Sequence, residues 1–306
     1  MPAPGRRHGG MVIKKVLLTG ATGLIGQYAC EPLLRDGYEV VALCRRRPPD
    51  NGIAWRECDL FDLKEVNTRL AEESATHLLH LAWDVRPEAY REDNSNFGWL
   101  AASLELLQAF RRNGGRRAVF AGTVLEYETE SMPLVEGVSS IGPKCAYEFC
   151  KAHLNELASL FCRNNAVSFG WARIFFTYGA NEAPRRLAGA IVESLSRGDN
   201  VVIRGGPLLR DYLYAKDIAA GLARFLDSSV QGEVNVCSGK AVSIREFSIA
   251  LAEMIGRREL LSFRDDVPGQ PACIVGDNRR LCEEVGFTPE YDLNAGFRDM
   301  LAKTDS

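Results

Sequence analysis

The sequence predicts an α/β protein, a doubly wound parallel sheet followed by a smaller C-terminal lobe. Three observations carry that expectation. Short apolar runs alternate with stretches of helical length from residue 13 to about residue 122, a glycine-spaced turn TGATGLIG follows the first run, and beyond Gly179 the alternation gives way to segments punctuated by Arg, Gly and Pro. Runs that are apolar throughout suit strands covered on both faces, and strand–helix alternation suits right-handed crossovers between parallel neighbours.

Taken in order, IKKVLLTG reads as the first strand, Leu24 to Asp36 as a helix, YEVVALC and GIAWREC as the second and third strands. A helix after Asp62 leads to HLLHLAW as the fourth strand. A long helix around Trp99 to Arg112 precedes RRAVFAG, the fifth, and an apolar helix opening with AYEFCK precedes a sixth strand, with WARIFFTYG after it. Residues 11–179 are expected to form a nucleotide-binding domain of Rossmann type, with elements near 212–238 returning to it. Residues 180–306 should form mainly a substrate-binding lobe packed over a cleft.

Bulk properties narrow the partners. With 306 residues, 46% of them apolar, the chain can bury one large core or two lobes. A formal net charge of -3 gives no general attraction to nucleic acid or an anionic membrane, so any affinity for phosphate must be local. The 9 cysteines are scattered, lack C-x-x-C spacing and stand apart from histidines, which reads as reduced thiols of a cytoplasmic protein with neither a disulfide frame nor a metal site. The opening MPAPGRRHGG leads into a short strand and not a long apolar segment, so neither a secretory signal nor a membrane span is read there.

Gly20, Gly23 and Gly26 stand between the first strand and its helix. Glycine is required where the turn is tight and where backbone must approach a pyrophosphate, and the helix N-terminus then offers free N–H groups to the phosphates. A dinucleotide is therefore expected on Gly20, Thr22, Gly23, Leu24, Ile25 and Gly26. About twenty residues on, where a carboxylate would take the ribose hydroxyl of NAD, the chain has Arg45, Arg46 and Arg47. A guanidinium grips a 2′-phosphate that a carboxylate would repel, so NADP(H) is preferred, with NAD(H) possible. Asp59 and Leu60 should border the adenine, and Leu81, Ala82 and Trp83 should line the path of the pyrophosphate and nicotinamide ribose.

Tyr147 and Lys151 are four residues apart, on one face of a helix. An ammonium held near a phenol lowers the phenol's pKa toward neutrality, giving a proton donor and acceptor usable at physiological pH. With the glycine turn, Thr123 after the fifth strand and Tyr147-x-x-x-Lys151, the chain resembles the extended short-chain dehydrogenase/reductase family of nucleotide-sugar epimerases, dehydratases and reductases. The resemblance runs from about Lys14 to the final helix and includes RDYLYAKDIAAGL and GEVNVCSGKAVSIREF. It implies Thr123, Tyr147 and Lys151 as catalytic residues, with Asn96 as a fourth, although Asn94 lies close by. It also brings Phe175 to the cofactor, and Trp83, Thr123, Val124, Tyr147 and Phe176 to the substrate.

Family dehydratases resemble one another in carrying acidic residues just after the catalytic Thr or Ser, where this chain has Val124 and Leu125. Aliphatic side chains move no protons, so dehydration is not expected. GTVLEYE looks instead like the segment of reductases acting on nucleotide-linked 4-keto-6-deoxy sugars, CDP-abequose synthase and its relatives among them, with Glu126 accepting a sugar hydroxyl. Phe176 stands where R-x-F-N-x-Y-G would have Asn, Arg210 matches the arginine that the family uses on the substrate's diphosphate, and Arg186 is a candidate second contact. The function these features imply is NADPH-dependent reduction of the C4 ketone of a nucleotide-linked sugar. A nucleotide-sugar epimerase with retained NAD is the alternative, a non-catalytic NADP sensor or a reductase of non-sugar ketones the more distant ones. Family members of this kind commonly dimerise through a four-helix bundle, here the Trp99-to-Arg112 helix and the one bearing Tyr147, whose Leu104, Leu107, Phe110, Leu154, Leu157 and Leu160 recur at helical spacing.

Overall fold

The computed structural model describes residues 14–48, 52–86 and 90–304. Its strands are β1 (Lys14–Thr19), β2 (Tyr38–Cys44), β3 (Ala54–Glu57), β4 (His77–His80), β5 (Arg117–Thr123), β6 (Ser168–Ile174), β7 (Phe176–Tyr178), β8 (Val201–Arg204), β9 (Leu209–Tyr214), β10 (Gly232–Val236), β11 (Ala241–Ser243), β12 (Leu261–Arg264) and β13 (Cys273–Ile274). The helices are α1 (Cys30–Arg35), α2 (Leu63–Glu73), α3 (Ser95–Arg112), α4 (Ala146–Asn164), α5 (Leu187–Arg197), α6 (Ala215–Asp227), α7 (Ile244–Ile255) and α8 (Leu293–Thr304).

Seven strands form one sheet in the order β10-β6-β5-β4-β1-β2-β3, every neighbouring pair parallel. The order reverses at β1, whose Leu18 faces Ala42 of β2 on one side and Leu79 of β4 on the other. Such a reversal opens a crevice at the carboxyl ends of the strands, where ligands bind in sheets of this kind. One face of the sheet is covered by Leu33 of α1 and Ile218, Leu222 and Phe225 of α6. The other is covered by Leu70 of α2, Leu106 and Phe110 of α3 and Leu154 of α4. Since both faces are buried, Val16 to Leu18 are at most 1% exposed and the strand has no polar side to show.

β10 and α6 return the chain to this sheet after it has left for the second lobe. That lobe has its own core, in which Ile191 and Leu195 of α5, Phe247 and Leu251 of α7 and Phe297 of α8 meet. Two small sheets, β11-β9-β13 with β7 alongside β9, and β12-β8, complete it.

Three expectations are modified. The helix expected over Leu24–Asp36 forms in two pieces, a single tight turn at Gly26–Tyr28 and then α1. Pro32 explains the break, because it lacks the N–H that would bond back to the Tyr28 carbonyl. The long helix begins at Ser95, four residues before Trp99, where Asp93 Oδ1 accepts the Ser95 N–H at 2.7 Å. Of the six residues expected on a dimer face, Leu107, Phe110 and Leu154 are buried against the sheet, whereas Leu157 and Leu160 are 45% and 47% exposed. Phe97 of α3 and Phe149 of α4 join them on the outer surface.

Candidate active site

One side of the crevice is set by the end of β1. Thr19 Oγ1 accepts the N–H groups of Leu81 and Ala82, each at 3.2 Å, which draws the residues after β4 against the first turn. Gly20 takes a φ of +73°, and a Cβ there would lie 2.7 Å from Ala82 N. At Gly26 a Cβ would overlap the Gly20 carbonyl. Both positions admit only glycine, the requirement expected of a turn that brings backbone close to a pyrophosphate. Gly23 bonds back to Gly20 at 3.0 Å, Thr22 and Gly23 are exposed, and Leu24 and Ile25 are half-buried beside them. Arg45 and Arg46 are exposed just past β2. Asp59 is exposed and its carboxylate accepts the Phe61 N–H at 3.0 Å, while the Leu60 side chain is buried in the core, so only Leu60's backbone can border an adenine.

Three elements converge on one cavity. β5 delivers Thr123, the first turns of α4 deliver Tyr147 and Lys151, and the chain after β4 delivers Trp83. The start of α4 is pinned by the Tyr147 N–H to the Arg91 carbonyl at 2.9 Å. Lys151 Nζ donates to the Ala121 carbonyl at 2.8 Å and sits 3.9 Å from the centre of the Trp83 ring. The Trp83 indole in turn donates to Asn96 Oδ1 at 2.8 Å. Asn96 is buried, and its amide nitrogen donates to the Tyr90 and Asp93 carbonyls at 2.6 and 2.8 Å. It does not line the cavity. Asn96 therefore orients Trp83 and the Tyr90 turn, while Asn94 is exposed at the start of α3.

The electrostatics differ from the sequence-based expectation. Burial pushes the Tyr147 phenol above its ordinary range, with Tyr90 adding to the effect and a hydrogen bond with the Thr123 side chain opposing it. Lys151, expected to lower that pKa, is itself pulled down by burial to about 7. Desolvation penalises both charged forms, so the phenol is held neutral and the amine loses much of its charge near neutrality.

The cavity that these groups open onto has a volume of about 570 Å³ and reaches into the second lobe. On that side it is lined by Phe176, Arg186, Arg204 and Arg210, with Val124 and Phe175 along its wall. Arg210 is 5% exposed; its Nη1 donates to the Leu209 and Pro271 carbonyls, and its guanidinium lies 5.5 Å from the Phe176 ring centre. Burial lowers its pKa, with only Tyr212 and Cys273 acting in the other direction. A buried guanidinium bonded to backbone carbonyls is suited to an anion. Arg186 Nη2 reaches across the cleft to the Val85 carbonyl at 3.0 Å.

Glu126 corrects the sequence reading. It is 0% exposed and cannot meet a sugar hydroxyl, because its carboxylate is consumed internally by Arg173 Nε at 2.8 Å, Trp171 Nε1 at 3.0 Å and the Thr123 N–H at 2.8 Å. The tight turn Val124–Glu126 folds the side chain back under Thr123 as a capping box. Tyr90, Glu182, Arg204 and Tyr212 line the cavity and were not singled out from the sequence. For Glu182 a signal existed, a lone carboxylate in the Arg-rich stretch after Gly179.

The model of the NAD dependent epimerase/dehydratase family matches residues 16–237. The chain is 24% identical over 92% of its length to UDP-glucuronic acid decarboxylase 1 of Xenopus tropicalis, covering 70% of that protein. It is also 24% identical to UDP-glucose 4-epimerase of Bacillus subtilis (strain 168), with 94% of each chain covered. Among solved structures, the UDP-glucose 4-epimerase of Thermus thermophilus in complex with NAD superposes with a TM-score of 0.85 at 25% identity, over 95% of this chain and 99% of that one. These relatives are UDP-sugar epimerases and decarboxylases and not the CDP-abequose synthase branch that the sequence resembles. With its glycine turn, its parallel sheet and the match over residues 16–237, the chain belongs to the NAD dependent epimerase/dehydratase family.

Proposed function

We propose that this chain acts on a nucleotide sugar by hydride transfer at the sugar C4, and that 4-epimerisation with a retained NAD is its reaction. One observation carries the reading: Thr123, Tyr147 and Lys151 open onto the same cavity as the buried Arg210. A carbonyl or carbinol at the first group of residues and a diphosphate at the arginine would belong to one molecule spanning the two lobes. Gly20 and Gly26, where no Cβ fits, would hold the dinucleotide's pyrophosphate, and Leu81, Trp83 and Phe175 its nicotinamide end. When bound, that cofactor supplies hydride acceptance and return. Tyr147 holds or takes the proton at the sugar oxygen, Thr123 orients that oxygen, and Arg210 with Arg186 fixes the diphosphate. Residues 11–179 would serve the cofactor and residues 180–306 mainly the sugar nucleotide. Two of the three relatives named above, the UDP-glucose 4-epimerases, support epimerisation.

Reduction of a nucleotide-linked 4-keto-6-deoxy sugar by NADPH is the second reading. Arg45 and Arg46 favour it, because they suit a 2′-phosphate, and so does a Tyr147 phenol held neutral as a proton donor. A test separates the two. UDP-glucose is incubated with the protein as purified, without added cofactor, and the product is identified by NMR. Product inverted at C4 supports epimerisation. No product from UDP-, CDP-, GDP- or dTDP-hexoses, together with NADPH oxidation when the matching 4-keto-6-deoxy sugars are supplied, refutes it in favour of reduction. We also propose a homodimer through the outer faces of α3 and α4, on which Phe97, Phe149, Leu157 and Leu160 are exposed.

A further inference from the structure

Glu182 lies on the segment between β7 and α5 and lines the same cavity as Tyr147, Phe176 and Arg210. Its Oε2 is buried and has no hydrogen-bond partner. The segment that presents it is fixed. Gln27 Nε2 donates to the Ala180 carbonyl at 3.1 Å, the Glu182 N–H reaches the Gly179 carbonyl at 3.3 Å, and the Arg186 N–H reaches the Ala183 carbonyl at 2.8 Å. Asn181 turns the chain here with a φ of 63°, in the left-handed region that asparagine enters more readily than other non-glycine residues. Gln27 belongs to the turn after the coenzyme glycines, so this carboxyl is positioned from both lobes.

The surrounding charges show what is missing. Burial drives the Glu182 carboxyl up to about 7, with Arg186 and the Gly189 N–H only partly opposing it. The Arg186 guanidinium is tied to the Val85 carbonyl, and its charge is felt by Tyr147 as well. A buried polar oxygen without a partner is costly, and that cost is removed when a ligand brings a donor. An ammonium would meet Arg186, and a phosphate or carboxylate would meet Glu182 itself. A neutral hydroxyl satisfies the oxygen without either repulsion. In a nucleotide sugar anchored by its diphosphate on Arg210, the part between that arginine and Tyr147 is the sugar ring, which carries such hydroxyls.

We propose that Glu182 binds a ring hydroxyl of the sugar and so sets the enzyme's grip on the glycosyl part of its substrate. The proposal rests on the nucleotide-sugar reading above. It is tested by calorimetric binding of UDP and UDP-glucose, and of the CDP, GDP and dTDP pairs, to the protein as purified and to Glu182→Gln and Glu182→Leu. For the pair the wild type binds best, Glu182→Leu should weaken the diphosphoglucose by about tenfold to a hundredfold, the span of a hydrogen bond to a charged group, and the nucleoside diphosphate by less than about twofold. Glu182→Gln, which keeps one acceptor, should fall between. Equal losses for nucleotide and nucleotide sugar, or no loss for either, would overturn the assignment while leaving the nucleotide-sugar reading intact. A wild type that binds none of these pairs removes that reading and this proposal with it.

Discussion

Replacing Lys151 by Met should make the fold more stable at low pH while abolishing turnover. The amine is 4% exposed and burial moves its pKa from 10.5 to about 7. In the unfolded chain Lys151 keeps its proton up to about pH 10.5, whereas in the folded chain it gives it up near 7. Between those limits the unfolded state binds more protons, so wild-type stability rises with pH across that window; below 7 both states are protonated and the full penalty remains. At about 1.36 kcal/mol per pH unit, that penalty is about 4–5 kcal/mol. Methionine fills a similar volume but gives up the bond to the Ala121 carbonyl, worth about 1.5–3 kcal/mol from the charged amine at low pH and about 1 kcal/mol from the neutral amine at high pH. Lys151→Met should then exceed the wild type by about 2 kcal/mol at about pH 6 and match it within about 1 kcal/mol near pH 10. Urea unfolding of both proteins, dialysed free of nucleotide, at the two pH values measures this. A variant less stable than the wild type by the same amount at both would refute the claim that the cleft desolvates this amine.

Tyr147→Phe should cut turnover by about 10²–10⁴ with cofactor affinity nearly unchanged, and steady-state kinetics beside cofactor titration checks this. Glu126→Gln keeps the shape but leaves the buried Arg173 without its nearest countercharge, so a loss of about 3 kcal/mol in urea unfolding is expected, with no selective loss of sugar binding. Changing Arg45 and Arg46 together to Ala should weaken NADPH by about tenfold and spare NADH; equal losses would end the phosphate-clamp idea. Leu157→Asp with Leu160→Asp should convert a dimer to a monomer in sedimentation analysis without lowering the melting temperature of the fold, since both side chains are exposed.

The sheet was legible because its signals are local. Fully apolar strands such as VVAL and VLL require cover on both faces, and the glycine turn marks the one crossover whose backbone must stay bare. The start of a helix after Asp62 was equally visible, and there the Asp62 side chain accepts from the Lys64 and Glu65 N–H groups at the start of α2. Facing was harder to read. Leu154 and Leu157 are three apart on α4 and chemically alike, yet one packs on the sheet and the other meets solvent, because rotation about the helix axis is set by the neighbours of α4 and not by its own period. The coupling of Tyr147 to Lys151 was misjudged for a related reason. Spacing put them on one face, but the sign of each pKa change came from the depth of the cleft, to which the second lobe contributes.

The polar groups around the cavity divide into two sets, and the division separates scaffold from contact. Glu126 has its oxygens taken by Arg173, Trp171 and the Thr123 backbone, and Asn96 is fully engaged with Trp83, Tyr90 and Asp93. Satisfied groups of this kind hold Thr123 and Trp83 still, and they have no remaining capacity for a ligand. Asp211 is the same case in the second lobe, its carboxylate accepting from Ser238, Gly239 and Gly276 next to Arg210. Glu182 and Arg210 belong to the other set, one with an oxygen lacking a donor and the other with a buried charge resting on carbonyls and an aromatic face. A sequence writes all of these as Glu, Asn, Asp and Arg alike. What distinguishes them is whether folding has already satisfied their hydrogen bonds, and the two that keep capacity, Glu182 and Arg210, line the same cavity as Tyr147, which is the basis for proposing a ligand with a hydroxylated part and an anionic part.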